Sequence, residues 1–218
     1  MAFVEKNTRR RRIGILDYRR GNLRSVENAV LVSGGEAVVI SDPSDIENFD
    51  ALILPGVGSF GDCALNLREA GLEAPILKWI SEGRPFLGIC VGYQLLFEGS
   101  EESPEVPGLG ILKGHVKRFS NGDARVPHMG WNSLRFAQPQ DPLLKNISED
   151  SQVYFVHSYY PEPEGEDVAY VSMQCSYAGI DFAASIWRER LWATQFHPEK
   201  SQRIGLQMLR NFVNEISA

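Results

Sequence analysis

The chain has 218 residues, of which 43% are hydrophobic, enough to bury the core of one domain and too few for two. Its 28 acidic residues against 22 basic ones leave a net charge of -6, which excludes a general nucleic-acid binder, because phosphate neutralisation needs a basic face. No apolar run approaches the roughly 18 residues that span a bilayer, no signal-peptide core stands at the start, and Cys63, Cys90 and Cys175 lack disulfide or metal-knuckle spacing, so a cytoplasmic protein without metal is expected.

Residues 1–12 read as a flexible, solvated leader ending in Arg9-Arg10-Arg11-Arg12, too short and isolated to mark a nucleic-acid or membrane patch. From Ile13 onward apolar runs alternate with helical segments, the pattern of a mainly parallel sheet covered by helices. Residues 13–16 predict the first strand, about 23–32 a helix stopped by Gly34-Gly35, and 37–40 the second strand. Residues 51–54 predict a third strand that runs into Pro55-Gly56-Val57-Gly58. Helices around 64–70 and 75–81 precede a strand ending in Pro85-Phe86-Leu87, and Gln94-Leu95-Leu96-Phe97 reads as the first turns of the next helix. Beyond Phe97 glycine and proline become denser, and strand-like runs recur near 112–119, 153–156, 168–175, 182–187 and 191–196. These imply a mixed sheet or an added β-layer. Residues 201–216 predict a closing helix, with Ile204, Met208 and Phe212 along one face.

Gly88-Ile89-Cys90-Val91-Gly92 places a cysteine at a strand-to-helix turn with a glycine two positions away on each side, the arrangement of a nucleophile elbow with sulfur in place of the serine oxygen. A free thiol, with a pKa near 8.5, needs a base to become a useful thiolate. Of the four histidines only His197 carries an acid at a telling offset, in His197-Pro198-Glu199, where the proline restricts an extended turn so that the outer residues project to one side. Glu199 then accepts from one imidazole nitrogen and leaves the other to face Cys90. His197 also follows the apolar run 191–196, which sets it at a strand end, on the edge where open α/β sheets bind ligands. For an oxyanion the candidate donors are the backbone of Val57 and Gly58 and the N–H of Val91. Taken alone, the glycines after the third strand serve equally well as a simple turn.

The combination of Pro55-Gly56-Val57-Gly58, Gly88 to Gln94 and His197-Pro198-Glu199 resembles the class I glutamine amidotransferases. Within that class Asp17-Tyr18 with Gly21 to Val26, Gly58-Ser59-Phe60-Gly61-Asp62, Pro127 to Asn132 and Phe155 to Tyr160 are similar to the glutaminase subunits of imidazole glycerol phosphate synthases. The resemblance implies an amidotransferase domain over 13–218, with a central, mostly parallel but mixed sheet flanked by helices and an added β-layer in the second half. It implies glutamine hydrolysis without a cofactor through a Cys90 thioester, with His197 and Glu199 completing the triad and Gly56, Gln94, Ser158 and Tyr159 holding the substrate. It also implies a heterodimer with a (β/α)8 cyclase subunit, to which ammonia passes for making imidazole glycerol phosphate and the aminoimidazole carboxamide ribotide in histidine biosynthesis. His128, Trp131, Asn132 and Lys200 would then face the cyclase or line the ammonia route. Val91 and Tyr93 stand where the family often has leucine and methionine, and Arg19-Arg20 replaces smaller residues. A different amidotransferase subunit and a non-catalytic thiol sensor on the same fold are the rivals; residues 127–132 and 157–160 argue against the first, and the intact triad against the second.

Overall fold

The computed structural model describes residues 10–119 and 125–216. Strands β1 (Arg12–Leu16), β2 (Glu36–Ile40), β3 (Ala51–Gly56) and β4 (Phe86–Cys90) pair in parallel in the order β2-β1-β3-β4. Both β3 and β4 are buried along their whole length, as unbroken apolar runs must be when both faces of a parallel sheet are covered. Helices α1 (Leu23–Val32), α2 (Phe60–Glu69) and α3 (Glu73–Ser81) make the crossovers, and a single turn, α4 (Val91–Gln94), follows β4.

The second half adds two small sheets and extends the main one. Strands β5 (Gly99–Ser100) and β6 (Gly114–Arg118) pair in parallel, and β10 (Tyr159–Pro163) joins β6 on its other side. Strands β7 (His128–Ser133) and β9 (Gln152–His157) form an antiparallel ribbon in which His128 stands opposite His157, Met129 opposite Val156 and Trp131 opposite Tyr154. Strands β8 (Arg135–Phe136), β11 (Val171–Tyr177), β12 (Ile180–Arg188) and β13 (Leu191–Thr194) extend the main sheet to eight strands, β2-β1-β3-β4-β13-β12-β11-β8. Of these, β13 lies parallel to β4, whereas β12, β11 and β8 continue antiparallel. The closing helix α5 (Gln202–Glu215) buries Met208 and Phe212 and leaves Ile204 partly covered. The fold is therefore a mixed, mostly parallel sheet flanked by helices, with two small added sheets.

Several expected boundaries move. Arg12, placed in the leader, opens β1: its backbone N–H donates to Asp50 and its guanidinium reaches Glu36 and the Asn48 carbonyl. Residues 1–9, with Arg9, lie outside the described residues. Helix α2 starts at Phe60, earlier than 64, because Ser59 caps it by accepting from the Asp62 N–H at 3.3 Å. The helix expected from Gln94 instead ends there. Leu95, Leu96 and Phe97 are wholly buried in turns, and the N–H groups of Leu109 and Ile111 bond to the Leu95 and Leu96 carbonyls. The run 168–175 divides into a 3₁₀ turn, Gly165–Tyr170, and β11.

Candidate active site

The carboxyl ends of β3, β4 and β13 meet at one rim, and each contributes one part of the site. At the end of β4, Cys90 has φ 56° and ψ −111°, a left-handed conformation that costs an L-residue about 1–2 kcal/mol and persists only where the surroundings enforce it. Those surroundings are glycines. A Cβ on Gly92 would lie 1.9 Å from the Leu54 carbonyl oxygen, and one on Gly88 2.9 Å from the Gly92 oxygen. Strand β3 thus presses directly on the turn that exposes the thiol. Gly56 belongs to the same packing, since a Cβ there would meet the Gly92 nitrogen and the Tyr18 hydroxyl at 2.7 Å. It sits behind the elbow and does not line the cavity, contrary to its expected place among substrate contacts.

Three residues beyond β13, His197 donates from Nδ1 to Glu199 Oε1 at 2.7 Å, with both side chains buried. The geometry differs in detail from an extended turn: Glu199 lies in a 3₁₀ turn, Pro198–Lys200, that brings its carboxylate back beneath the imidazole. His197 is fixed through its backbone, its N–H donating to the Tyr154 carbonyl at 3.0 Å and its own carbonyl accepting from Ser201 Oγ at 2.7 Å. The opposite ring nitrogen, Nε2, is buried and has no hydrogen-bond partner. Burial alone lowers the imidazole pKa, but the neighbouring Cys90 sulfur, together with Glu199, outweighs burial and raises it. The proton is therefore held at the imidazole whenever the sulfur is anionic.

A cavity of about 400 Å³ opens over this pair, lined by Val57, Gly58, Cys90, Val91, Gln94 and His197 on the sheet side and by Val156 to Tyr159 on the other. The structure thus gathers the triad with Val57, Gly58, Val91, Gln94, Ser158 and Tyr159. Within it, Gln94 Nε2 donates to the Tyr159 carbonyl and to Gln195 Oε1, both at 3.0 Å, which spends the amide protons on the wall. Gln195 was not anticipated. Its Nε2 donates to Cys90 Sγ at 3.7 Å, and its one visible signal is a fully buried polar residue inside an apolar run. Glu102, which joins the cavity wall and accepts from the Phe60 N–H at 2.7 Å, also carried no motif.

The residues expected at a partner face divide. Trp131 is 43% exposed, beside Met129 at 62%. Lys200 is half-buried beside the triad. His128 and Asn132 instead form an internal relay: Asn132 Nδ2 lies 3.3 Å from His128 Nε2, His128 Nδ1 3.0 Å from His157 Nε2, and His157 Nδ1 2.8 Å from the Tyr159 carbonyl. That carbonyl only accepts, so each ring passes one proton along and both are neutral. Burial lowers the pKa of His128 to about 4 and of His157 to about 3. His128 cannot face a partner, being stacked between Tyr177 and Phe155.

A cysteine elbow on a doubly wound sheet, with a histidine and its carboxylate two residues apart behind the last parallel strand, is the mark of the class I glutamine amidotransferases. The family model described as glutamine amidotransferase class-I matches residues 15–216. The chain is 47% identical over 207 residues to the imidazole glycerol phosphate synthase subunit HisH of Geobacter sulfurreducens, covering 92% of this chain and 97% of that one. To the HisH subunit of Acinetobacter baylyi it is 45% identical over 203 residues, covering 93% and 97%. The chain belongs to this family, the HisH subunits of imidazole glycerol phosphate synthase. Among solved structures, a glutamine amidotransferase matches with a TM-score of 0.73 at 23% identity, over 94% of this chain and 99% of that one. PurLQS from Thermotoga maritima gives 0.76 at 20% identity, over 95% and 99%. At such identities the likeness is one of fold. No helix among the described residues is long and apolar enough to cross a membrane.

Proposed function

We propose that the chain is the glutaminase of a cytoplasmic imidazole glycerol phosphate synthase, hydrolysing glutamine at Cys90 and passing ammonia to a (β/α)8 cyclase subunit. The observation that carries this reading is the His197 ring, tied to Glu199 through one nitrogen and presenting the other, unpartnered, on the side of the Cys90 sulfur within one cavity. Cys90 Sγ attacks the side-chain carbonyl carbon of glutamine, and the C=O electron pair moves to oxygen. N–H groups of Val57 or Gly58 and of Val91 hold that charge, in a site whose burial strengthens each such contact. Collapse breaks the C–N bond, His197 Nε2 gives its proton to the departing nitrogen, and ammonia leaves a γ-glutamyl thioester. Water then adds to the thioester, His197 takes its proton, and collapse releases glutamate and the thiolate.

The partner half of the reading is supported by the ribbon. Met129 and Trp131 present exposed apolar surface on the face they share with Val156, which borders the cavity, and residues opposite one another in an antiparallel pair project to the same side. Lys200, one residue past Glu199, would pair with an acidic group of that partner. The decisive experiment mixes the chain with the cyclase subunit, glutamine and the phosphoribulosyl substrate and follows imidazole glycerol phosphate. Product that requires both subunits and Cys90 is the expected result. Glutaminase activity without product in the mixture would assign the chain to a different synthase.

A further inference from the structure

Two buried groups that this chemistry leaves idle stand directly behind Pro55 to Gly58, the end of β3 and the loop that continues it. Tyr18, 1% exposed, donates from its hydroxyl to the Pro55 carbonyl at 2.7 Å. Cys63, on α2, donates from Sγ to the Val57 carbonyl at 3.5 Å. Phenol and thiol also interact with each other. Burial pushes the Cys63 thiol up to about 11 and the Tyr18 phenol well above its usual value, so both keep their protons and remain donors. Two carbonyls of the loop are thus committed to side chains from two different elements, one after β1 and the other on α2.

This commitment has a directional effect. In a planar trans peptide the C=O and the N–H point opposite ways. Holding the Val57 carbonyl on α2 therefore fixes the direction of the Gly58 N–H. That N–H donates to no backbone or side-chain acceptor among the described residues, and Gly58 itself lines the cavity.

We propose that Tyr18 and Cys63 are positioning residues for glutamine hydrolysis, holding the Pro55 and Val57 carbonyls so that the Gly58 N–H stands toward the oxygen of the tetrahedral intermediate. The proposal rests on the glutaminase reading above. Neither side chain touches substrate; each acts by keeping the loop in the one orientation that offers a donor. With a carbonyl released, the peptide samples other orientations, and only the correctly turned fraction is competent. The loss then falls on the chemical step, because the donor is needed only when charge develops on oxygen.

The test measures kcat and KM for glutamine in the chain assembled with its cyclase subunit, for wild type, Tyr18→Phe, Cys63→Ala, Cys63→Ser and Cys90→Ala, each checked for thermal unfolding. Tyr18→Phe keeps the ring that fills the core, so it remains informative if the smaller Cys63→Ala residue upsets folding. Expected is a kcat lowered about tenfold in Tyr18→Phe and Cys63→Ala with KM within about twofold, a fraction of the roughly 100-fold or more lost with a whole oxyanion donor. Cys63→Ser, which keeps a donor in the same place, should recover most of the rate. Unchanged kcat in both variants, a KM that rises in step with the loss, or a serine no better than alanine would overturn the assignment. Absence of Cys90-dependent glutaminase activity in the wild type would instead overturn the reading on which it rests.

Discussion

At Cys90 two requirements oppose each other: the thiol must stand clear of the strand to react, and an L-residue resists the left-handed backbone that puts it there. The site answers with close backbone contact at the flanking glycines, Gly88 and Gly92, and the same economy holds at His197. There Nδ1 is spent on Glu199, and the backbone is pinned by Tyr154 and Ser201, so the ring has little freedom beyond presenting Nε2. Glu199→Gln keeps an acceptor for Nδ1 and removes the charge that helps raise the imidazole pKa. We expect kcat to fall on the order of 100-fold, with alkylation of Cys90 by a small reagent persisting, because in the proposed mechanism the carboxylate supports the base and is not the nucleophile. An unchanged turnover would remove Glu199 from the mechanism.

Among the elements, those legible in the sequence were the ones whose burial is uniform. Strands β3 and β4 are unbroken apolar runs because both faces are covered, and α5 shows its period because one face is wet. The triad was legible for a related reason: glycines around Cys90, and the two-residue offset of Glu199, are constraints of the local backbone. What escaped were features made by distant contacts. Gln195 approaches Cys90 only when β13 pairs with β4, and Leu95 to Phe97 are equally apolar whether in a helix or in the buried turns they form. The two-residue strands β5 and β8 are too short to carry any period. The elbow gives the sharpest element-scale expectation. Gly92→Ala would drive a Cβ to within 1.9 Å of the Leu54 oxygen, backbone against backbone. A destabilisation of about 3 kcal/mol or more is expected in urea unfolding, at the upper end of what overpacking costs. A loss under about 1 kcal/mol would show that the turn adapts more readily than this packing allows.

At the scale of the whole molecule, buried titrating groups set the pH response. An unfolded histidine takes up its proton near 6.5, whereas in the fold His128 waits until about 4 and His157 until about 3. As pH falls through that window the unfolded chain binds more protons, so stability drops by up to about 1.4 kcal/mol per pH unit for each ring. Asp141 acts in the other direction. Burial raises its carboxyl from 3.8 to about 6, so between those values the folded chain holds the extra proton and offsets one of the two histidines. From about pH 6 down to about pH 4 the unfolding free energy should therefore decline with the slope of about one proton. Denaturant titrations at stepped pH check this, and a level profile down to pH 4.5 would mean that the rings are not held neutral.

The β7–β9 ribbon separates two environments by its faces. His128, His157 and Phe155 project inward to the aromatic core, while Met129, Trp131 and Val156 project outward. Because Val156 is also part of the cavity wall, the outward face runs without interruption into the cavity's mouth. Strands in such a ribbon lie only about 4.8 Å apart, so a body seated over Met129 necessarily overhangs that opening. Under the proposed heterodimer, docking and roofing would be a single event: the surface proposed to meet the cyclase is the surface through which water would otherwise enter and ammonia would otherwise escape.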